Sequence, residues 1–279
     1  MTGVIISPSV VAVTSEGYSA NNPLIGYNNL VTYGNISATS EDADYPVTNL
    51  ANPSTAEVWK AVDASPVGDI YIEVNVNTVD PIDYIAIARH NLGTGLVPIS
   101  VEGLVDNLSS PTEWVELCSD VLLPDDGPAM FCFDAQALYS IRIRLQSSSI
   151  NTIPQIGVLY TGKLLVLQRR VYVGHTPITQ GRSSNILNAR SESGEFLGRI
   201  TLAEWNSTSI ALKNLTPTWV RQYLLPFIVD SRANPFFFAW RPSDYPYEVG
   251  FCWMTNDPRP INQLGNGMMQ VSLEMTGIV

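Results

Sequence analysis

The sequence predicts a mostly β protein made of an N-terminal β-sandwich and a C-terminal α+β unit with one prominent helix. Three observations predict this layout. Residues 70–76 alternate between aliphatic side chains and Tyr, Glu or Asn, as in a strand with one buried face. Residues 82–88 are apolar at six of seven positions, as in a strand covered on both faces. The balance of charge also changes after residue 162.

The two parts of the chain differ in charge. Up to residue 162, 18 acidic residues outnumber four basic ones, a net of −14, whereas the rest has 11 basic and eight acidic residues, a net of +3. The acidic part lacks the cations that phosphate contacts need, so we expect no nucleic acid partner. The mildly basic part is suited to an acidic neighbour. We therefore predict an N-terminal arm or strands in residues 1–39, a sandwich in 40–162 and a second unit in 163–279.

The composition is that of a packed globule. The chain of 279 residues is long enough for two domains, and its 45% hydrophobic and 15% charged residues argue against disorder. No apolar run is long enough to cross a bilayer, and no basic segment precedes the apolar N-terminal residues. We expect neither membrane insertion nor a secretory signal. Two histidines and three widely spaced cysteines supply almost no zinc ligands, so we expect no metal and no cofactor.

The predicted elements of the sandwich follow one another at short spacing. Residues 1–35 give short strand-like pieces, and a segment rich in turn residues, 44–54, leads to Trp59. Further strand-like segments with turn residues between them are typical of an all-β sandwich. After the two opening strands they are 98–103, 113–117, 130–133, 141–145 and 155–162.

A series of short motifs runs through residues 40–162. In order they read YPVTNL, IYIEV, IDYIAIARHNLG, ISVEG, IRIRL and IGVLYTGK. This series resembles the galactose-binding-like jelly roll of the discoidin or coagulation-factor C-type family, and above all the versions in tail proteins of bacterial viruses. The resemblance implies an eight-stranded sandwich with loops at one end that often bind sugar or lipid head groups.

The resemblance also implies where a ligand would bind, namely at aromatic, Arg and Asn side chains on those loops. The candidates are Tyr45, Asn49, Trp59, Arg89, His90 and Asn91. Trp59 lies between a loop and a strand, where a Trp also serves to plug one end of a sandwich. His90 and Asn91 follow a strand and also fit a local cap that satisfies loop backbone groups. We expect the acidic loop 124–128 to be a solvated turn rather than a cation site.

The second unit begins with a basic strand at residues 163–173 and a polar tract at 180–198, which we expect to be a loop that orders against a partner. The clearest helix start is Thr216 as a cap followed by Pro217 at the first helical position. One apolar face is predicted at helical spacing. It comprises Trp219, Val220, Tyr223, Leu224 and Phe227. Pro226 is expected to end or bend the helix.

The last part of the chain carries a second resemblance. The motifs FFFAWRPSDYPYEVGFCW and NGMMQVSLEMTGI resemble the tail-hub domains of long-tailed phages, as in distal tail and related minor tail proteins. Those domains form rings by pairing sheet edges between subunits, so the resemblance implies a subunit interface at an aromatic segment. Its residues are Phe236, Phe237, Phe238 and Trp240. These four aromatic side chains would equally suit the hydrophobic core of their own domain.

Motifs for catalysis are incomplete in this sequence. Residues 157–164 match a phosphate-binding loop except at the last position, where Leu164 replaces the Ser or Thr that holds magnesium. A nucleophile elbow and a zinc-protease motif are both missing from the sequence. We therefore expect no enzyme. A hydrolase of cell-wall sugar remains a third possibility beside the two functions below.

These observations predict a structural subunit of a long-tailed phage tail tip or baseplate. We expect it to form a ring, a hexamer or a trimer, by β pairing between subunits, and to display the jelly roll. Its partners would be the tail tube, the tape measure and the hub, and its location the virion tail tip, after assembly in the cytoplasm of the bacterial host. The alternative is a carbohydrate-binding module that attaches to host-surface glycan.

Overall fold

The computed structural model describes residues 4–6, 21–63, 68–77, 80–105, 113–146, 152–171 and 174–279. In chain order the strands are β1 (Val4–Ile6), β2 (Leu24–Gly26), β3 (Ile36–Ala38), β4 (Trp59–Lys60), β5 (Ile70–Asn75), β6 (Ile82–His90), β7 (Ile99–Leu104), β8 (Trp114–Val121), β9 (Ala129–Gln136), β10 (Ser140–Leu145), β11 (Gln155–Gly162), β12 (Leu164–Val166), β13 (Arg182–Arg190), β14 (Phe196–Leu215), β15 (Phe236–Ala239), β16 (Val249–Met254), β17 (Ile261–Asn262) and β18 (Met269–Ile278). The helical residues are α1 (Pro217–Trp219), a π-helical segment (Val220–Leu224) and α2 (Leu225–Asp230), with short 3-10 turns at Val47–Ala51 and Ile178–Gln180.

These strands form three sheets. The outer sheet has the order β3-β5-β10-β7-β8, and the middle sheet has the order β1-β9-β6-β11-β4. The third sheet has the order β12-β2-β15-β16-β18-β14-β13, with β17 beside β18. The outer and middle sheets enclose one apolar core and form the sandwich, and the third sheet carries the helix. The predicted fold class, a jelly-roll β-sandwich followed by an α+β unit, is confirmed.

Strands β5 and β6 have the burial that their sequence patterns predict. In β5 the side chains alternate, with Ile70, Ile72 and Val74 buried in the core of the sandwich. Strand β6 lies at the centre of the middle sheet and is covered on both faces. Ile85 points into the sandwich core, whereas Tyr84 points to the opposite side of the sheet.

A second apolar layer joins the middle sheet to the third sheet. Phe237 of β15 and Phe251 of β16 pack edge-on against Tyr160 of β11, with ring centroids 5.5 and 5.8 Å away. The Tyr84 ring lies against Gly26, where an added Cβ would be 2.7 Å from ring atom Cε2. Only a residue without a side chain leaves room for this ring. The three sheets are therefore stacked, and the middle sheet is buried on both faces.

The N-terminal strands are divided among all three sheets. Strand β1 pairs in parallel with β9 of the middle sheet, and β3 pairs with β5 of the outer sheet. Strand β2 lies between β12 and β15 in the third sheet. The chain therefore passes from the sandwich to the third sheet and back before residue 40.

The helix starts where the sequence predicts and continues further than predicted. Pro217 is the first helical residue, as expected, and helical residues continue to Asp230. Thr216 bonds Gln168 rather than the helix: its hydroxyl accepts from the Gln168 amide at 3.0 Å. Of the two outcomes predicted for Pro226, an end of the helix is wrong, because helical residues continue to Asp230, and a bend stays a prediction. A wider π turn comes directly before this proline, and such turns relax the i−4 bonding that a proline cannot make.

The apolar face of the helix covers the far side of the third sheet. Trp219, Val220, Leu224 and Phe227 are buried there, as predicted, whereas Tyr223 is exposed. The Phe227 ring meets Phe236 of β15 edge-on at 5.0 Å between centroids. This packing completes the core of the α+β unit.

The expectation of a loop at residues 180–198 is wrong. Residues 182–190 form β13, which pairs with the first half of β14 in a hairpin. The turn is closed by Ser191, whose backbone N–H donates to the Glu195 carbonyl at 2.9 Å, and Gly194 takes a positive φ of 88°. Its Ser and Asn residues thus lie on an exposed strand, where polar side chains are tolerated.

Candidate functional site

The predicted loop residues gather at one end of the middle sheet. Trp59 of β4 and His90 of β6 both pair with Ile156 of β11. Trp59 has no exposed surface, and its Nε1 donates to the Ser40 carbonyl at 3.0 Å. Trp59 therefore plugs one end of the sandwich, which is the second of the two interpretations given for it above. Asn49 belongs to the same structure, since its amide donates to the Val58 carbonyl at 2.9 Å.

His90 and Asn91 hold the backbone around the end of β6. Asn91 accepts from the Gln155 N–H at 2.9 Å and donates to the Ile153 carbonyl at 2.8 Å. His90 is buried, and its Nδ1 accepts from the Leu92 N–H at 3.3 Å. Burial lowers the pKa of His90 to about 4, because charging the ring would require its hydration. The alternative of a local cap describes both side chains.

Two of the six predicted residues are exposed, Tyr45 and Arg89, whereas Asn49 and Asn91 are half-buried. Tyr45 is 37% exposed, and Lys60 Nζ lies 3.5 Å from the centre of its ring. Arg89 is exposed and has a positive φ of 57°, a conformation that L residues adopt only when neighbouring structure imposes it. Sugar binding at these loop residues stays a prediction.

A cleft lies elsewhere, between one turn of the sandwich and two turns of the α+β unit. Its volume is about 760 Å³, within the range of small-molecule sites. The sandwich contributes the β8–β9 turn at residues 125–127, and the α+β unit contributes residues 179–180 and the β15–β16 turn at 244–248. We call this space the interdomain cleft.

The interdomain cleft exposes two tyrosine rings. Tyr245 is 46% exposed and stacks on Trp240, with centroids 5.3 Å apart and planes 9° apart. Tyr247 is 52% exposed. Trp240 donates from Nε1 to Glu248, which also accepts from the Gln180 amide at 3.2 Å. One ring is thus held in a fixed plane by its neighbours, and both rings offer surface to the cleft.

The charge of the cleft lining is negative. Four carboxylates line it: Asp125, Asp126, Asp244 and Glu248. Asp126 accepts from the backbone N–H and hydroxyl of Thr94 at 2.8 and 2.6 Å, so it is fixed to the sandwich. The same turn packs on Gly93, where an added Cβ would be 2.2 Å from the Asp125 carbonyl oxygen. These bonds position the turn. Within the described parts of the chain, no group of His, Cys, Asp and Glu side chains is arranged to hold a metal ion.

A second feature is an unsupported hairpin. Strand β14 pairs with β18 from Asn206 onward, whereas its residues 196–205 pair only with β13 among the described strands. We call residues 182–205 the arm. At about 3.3 Å per residue, ten residues of strand extend about 33 Å. None of the arm residues is buried.

The arm exposes apolar side chains to solvent. Six are exposed: Leu187, Phe196, Leu197, Ile200, Leu202 and Trp205. Leu187 and Ile200 are directly opposite each other in the hairpin, so they lie on the same face. Both are more than half exposed, at 56% and 61%. Leu202 is the extra residue at a bulge between Thr201 and Ala203.

The aromatic segment predicted as a subunit interface is internal to this chain. Phe236, Phe237 and Phe238 have no exposed surface. Phe236 and Phe238 face the helix, whereas Phe237 faces the middle sheet. Trp240 is partly buried beside the same core and lies 4.8 Å from the His175 ring. These aromatic side chains therefore belong to the core of their own chain, which was the alternative to a subunit interface.

The cleft and the arm were both missed by reasoning from the sequence. For the cleft, the usable signal was Tyr245-Pro246-Tyr247 inside a turn-rich run, where large rings have no strand or helix to take them into a core. For the arm, the signal was a pair of apolar residues, Phe196 and Leu197, directly after a Gly-containing turn.

No protein-family model matches the sequence, and no curated protein matches it. Solved structures that are similar to part of the chain include two chitosan-binding modules and one family 32 carbohydrate-binding module. Chitosan-binding module 1 from the chitosanase/glucanase of Paenibacillus sp. IK-5 has 14% identity and a TM-score of 0.40, over 49% of this chain and 98% of the module. Chitosan-binding module 2 of that enzyme, in complex with chitotriose, has 16% identity and a TM-score of 0.39, over 48% and 99%. The family 32 carbohydrate-binding module of NanJ from C. perfringens, in complex with galactose, has 16% identity and a TM-score of 0.38, over 47% and 92%. None of the three is described as a tail protein.

No helix in the described residues has both the length and the apolar character that a membrane span requires.

Proposed function

We propose that the chain is a structural subunit that assembles with copies of itself through the arm. The observation that carries this proposal is the arm's exposed apolar surface on a hairpin that extends beyond its sheet. A two-stranded hairpin is marginally stable in water unless a further layer covers it. A neighbouring subunit would supply that layer.

The edge of the third sheet supports the same proposal. Strand β13 is the last strand on its side of the sheet, so its outer backbone groups face no partner strand among the described residues. Free edges of this kind favour pairing with another chain. Because the edge and the apolar side chains belong to the same hairpin, one neighbour would satisfy both.

The finer proposal is a ring, a hexamer or a trimer, in the tail tip of a long-tailed phage. The support is the sequence resemblance of residues 163–279 to tail-hub domains, together with an arm suited to pairing between subunits. On this proposal the chain is located in the virion, meets the tail tube, tape measure and hub, and displays the jelly roll without catalysing a reaction. A turnover assay on cell-wall sugar tests the last point.

The test is the mass of the full-length chain in solution and its shape in electron micrographs. We expect symmetric rings of the unaltered protein and monomers of Ile200→Lys, since Ile200 is 61% exposed and its replacement costs the monomer no buried contact. The matched control is Val115→Lys on β8, an edge strand of the outer sheet, where the side chain is 47% exposed. A ring that survives Ile200→Lys, or an unaltered chain that stays monomeric at high concentration, contradicts the proposal.

A second candidate function is glycan binding. The observation that favours it is the interdomain cleft, where two exposed tyrosines stand beside carboxylate and amide groups. Two of the similar modules were solved with chitotriose and with galactose. The test is a glycan array probed with the full-length chain. The full-length chain is used because residues 40–162 alone would lack β1 and β3, which pair with β9 and β5 of the sandwich.

A further inference from the structure

We propose that the interdomain cleft, rather than the group of predicted residues from Tyr45 to Asn91, is the glycan site, and that it takes neutral or amino-bearing oligosaccharides but not anionic ones. This inference rests on the second candidate function above and assigns it a place and a ligand class. Both units contribute to the site: the sandwich supplies residues 125–127 and the α+β unit supplies residues 179–180 and 244–248.

The tyrosine rings give the cleft a surface for sugar rings. The faces of a pyranose ring carry C–H groups, which pack on aromatic rings in the way other apolar groups do. Tyr245 is held parallel to Trp240, so its plane is set before any ligand arrives. A preset ring costs less conformational entropy on binding than a mobile one. The loop candidates expose one ring only, that of Tyr45, which Lys60 Nζ approaches to 3.5 Å from its centre, since Trp59 is completely buried.

The polar groups of the cleft match hydroxyl groups. Asp125 and Glu248 are acceptors, Thr179 both donates and accepts, and the Gln180 amide can do the same. A few such groups beside a largely apolar lining are typical of small-molecule sites. Two of these groups already bond each other, Gln180 Nε2 to Glu248 Oε1 at 3.2 Å, which fixes their positions.

The charge of the lining selects among sugars. Its residues include four carboxylates and no Lys or Arg. Arg241, on the same turn, pairs with Asp244 and compensates one of these charges, so the carboxylates still outnumber the cations beside the cleft. A uronic acid or other anionic sugar would be repelled, whereas an ammonium group on an amino sugar would be attracted.

The lining favours a glycan over a peptide. Peptides bind through a free strand edge, an apolar groove for a helix, a surface for polyproline or a cluster of Arg. The cleft is lined by turns and a short 3-10 segment, so it presents no strand edge. A basic peptide remains an outcome that the experiment must separate, because carboxylates attract its cations as well.

The experiment titrates the full-length chain with four probes and follows binding by calorimetry. The probes are trisaccharides of N-acetylglucosamine, of glucosamine and of galacturonic acid, and a tri-lysine peptide. We expect both hexosamine trimers to bind, galacturonic acid not to bind, and the glucosamine trimer alone to weaken as salt is raised. Tyr247→Ala should weaken the binding of both hexosamine trimers about five- to tenfold. Tyr139→Ala, with a ring that is 41% exposed on the sandwich, is the matched control and should leave both affinities unchanged.

Each remaining outcome has a definite meaning. If no trisaccharide binds the unaltered chain, the second candidate function and this inference fail together. If trisaccharides bind and the affinity falls in Tyr45→Ala but not in Tyr247→Ala, glycan binding holds at the loops and this inference fails. Binding of galacturonic acid as tightly as the neutral trimer, or of tri-lysine alone, also overturns it. Unfolding temperatures of the variants show whether a lost affinity reflects a lost fold.

Discussion

Replacing Phe237 by Ala should destabilise the whole chain rather than weaken contacts between subunits. The Phe237 ring has no exposed surface and lies 4.9 Å from the Phe251 ring and 5.5 Å from the Tyr160 ring, between centroids. Removing a buried Phe side chain costs about 3–5 kcal/mol, since the cavity it leaves is only partly filled by its neighbours. For a chain of this size that loss lowers the unfolding temperature by roughly 10 °C.

The assay combines denaturant unfolding with a measurement of mass. Phe196→Ala is the matched control, because this ring is 67% exposed on the arm. Its truncation should change the free energy of unfolding of the monomer by less than about 0.5 kcal/mol. The two variants should therefore separate: Phe237→Ala loses stability, and Phe196→Ala loses assembly. Both are compared at a concentration where the unaltered chain is monomeric, because assembly itself raises apparent stability.

The opposite pattern would refute this reasoning. A Phe237→Ala chain that unfolds within about 1 kcal/mol of the original, while its assembly is lost, would place this ring at a subunit contact. The apolar layer described between the middle and third sheets would then be wrong. Two separate unfolding transitions in the unaltered chain would contradict it as well, since a shared core should make the three sheets unfold together.

Three further predictions follow from single sites. Gly93→Ala should move the Asp125 turn, since the new Cβ would be 2.2 Å from its carbonyl oxygen, and should reduce glycan binding in the titration above. Arg142→Met should cost about 2 kcal/mol in denaturant unfolding, because Glu102 would lose the guanidinium 2.6 Å from its carboxylate in a place where that carboxylate is 12% exposed. Lowering the pH from about 6.5 to 4 should remove stability through His90, because its pKa is about 4 in the folded chain and unfolding takes up a proton. In denaturant unfolding at a series of pH values, His90→Asn should flatten that loss.

Two variants serve as controls for these predictions: one removes an exposed ion pair, and the other removes a group whose effect on stability at low pH is opposite to that of His90. Arg182→Met removes an ion pair with Glu204 in which the side chains are 66% and 44% exposed, and should change stability little. Burial raises the pKa of Asp83 to about 6, so this carboxyl stabilises the fold as pH falls and opposes His90. Asp83→Asn should therefore steepen the acid loss. An acid response that is unchanged in both variants would rule out these two groups as its source.

Local patterns in the sequence sufficed for elements with one dominant environment. The alternation in β5 predicts one buried face, and the structure has it at Ile70, Ile72 and Val74. The apolar residues at six of seven positions in 82–88 of β6 predict burial on both faces, which the structure confirms. Pro217 marks the helix start because a proline loses no bond there.

The pattern of a strand predicts that a face is buried, but it does not show which part of the protein covers that face. The pattern of β6 shows that its Tyr84 side is buried, but the covering layer comes from Phe237 and Phe251, more than 150 residues further along the chain. For the same reason Phe236 to Phe238 were equally compatible with a subunit contact and with a core. Only the order of the strands in the third sheet decides between them.

The arm shows the same limit in reverse, and this bears directly on the proposed assembly. Leu187 and Ile200 have the hydrophobicity of core residues, and a strand pattern alone would assign them a buried face. In this chain they are exposed because β18 ends beside Asn206 and no other described strand reaches the hairpin. No described part of this chain covers these side chains, and in the proposed assembly a second chain would cover them. The mismatch between an apolar hairpin and its exposed position is therefore the strongest physical reason to expect the protein to work as an assembly.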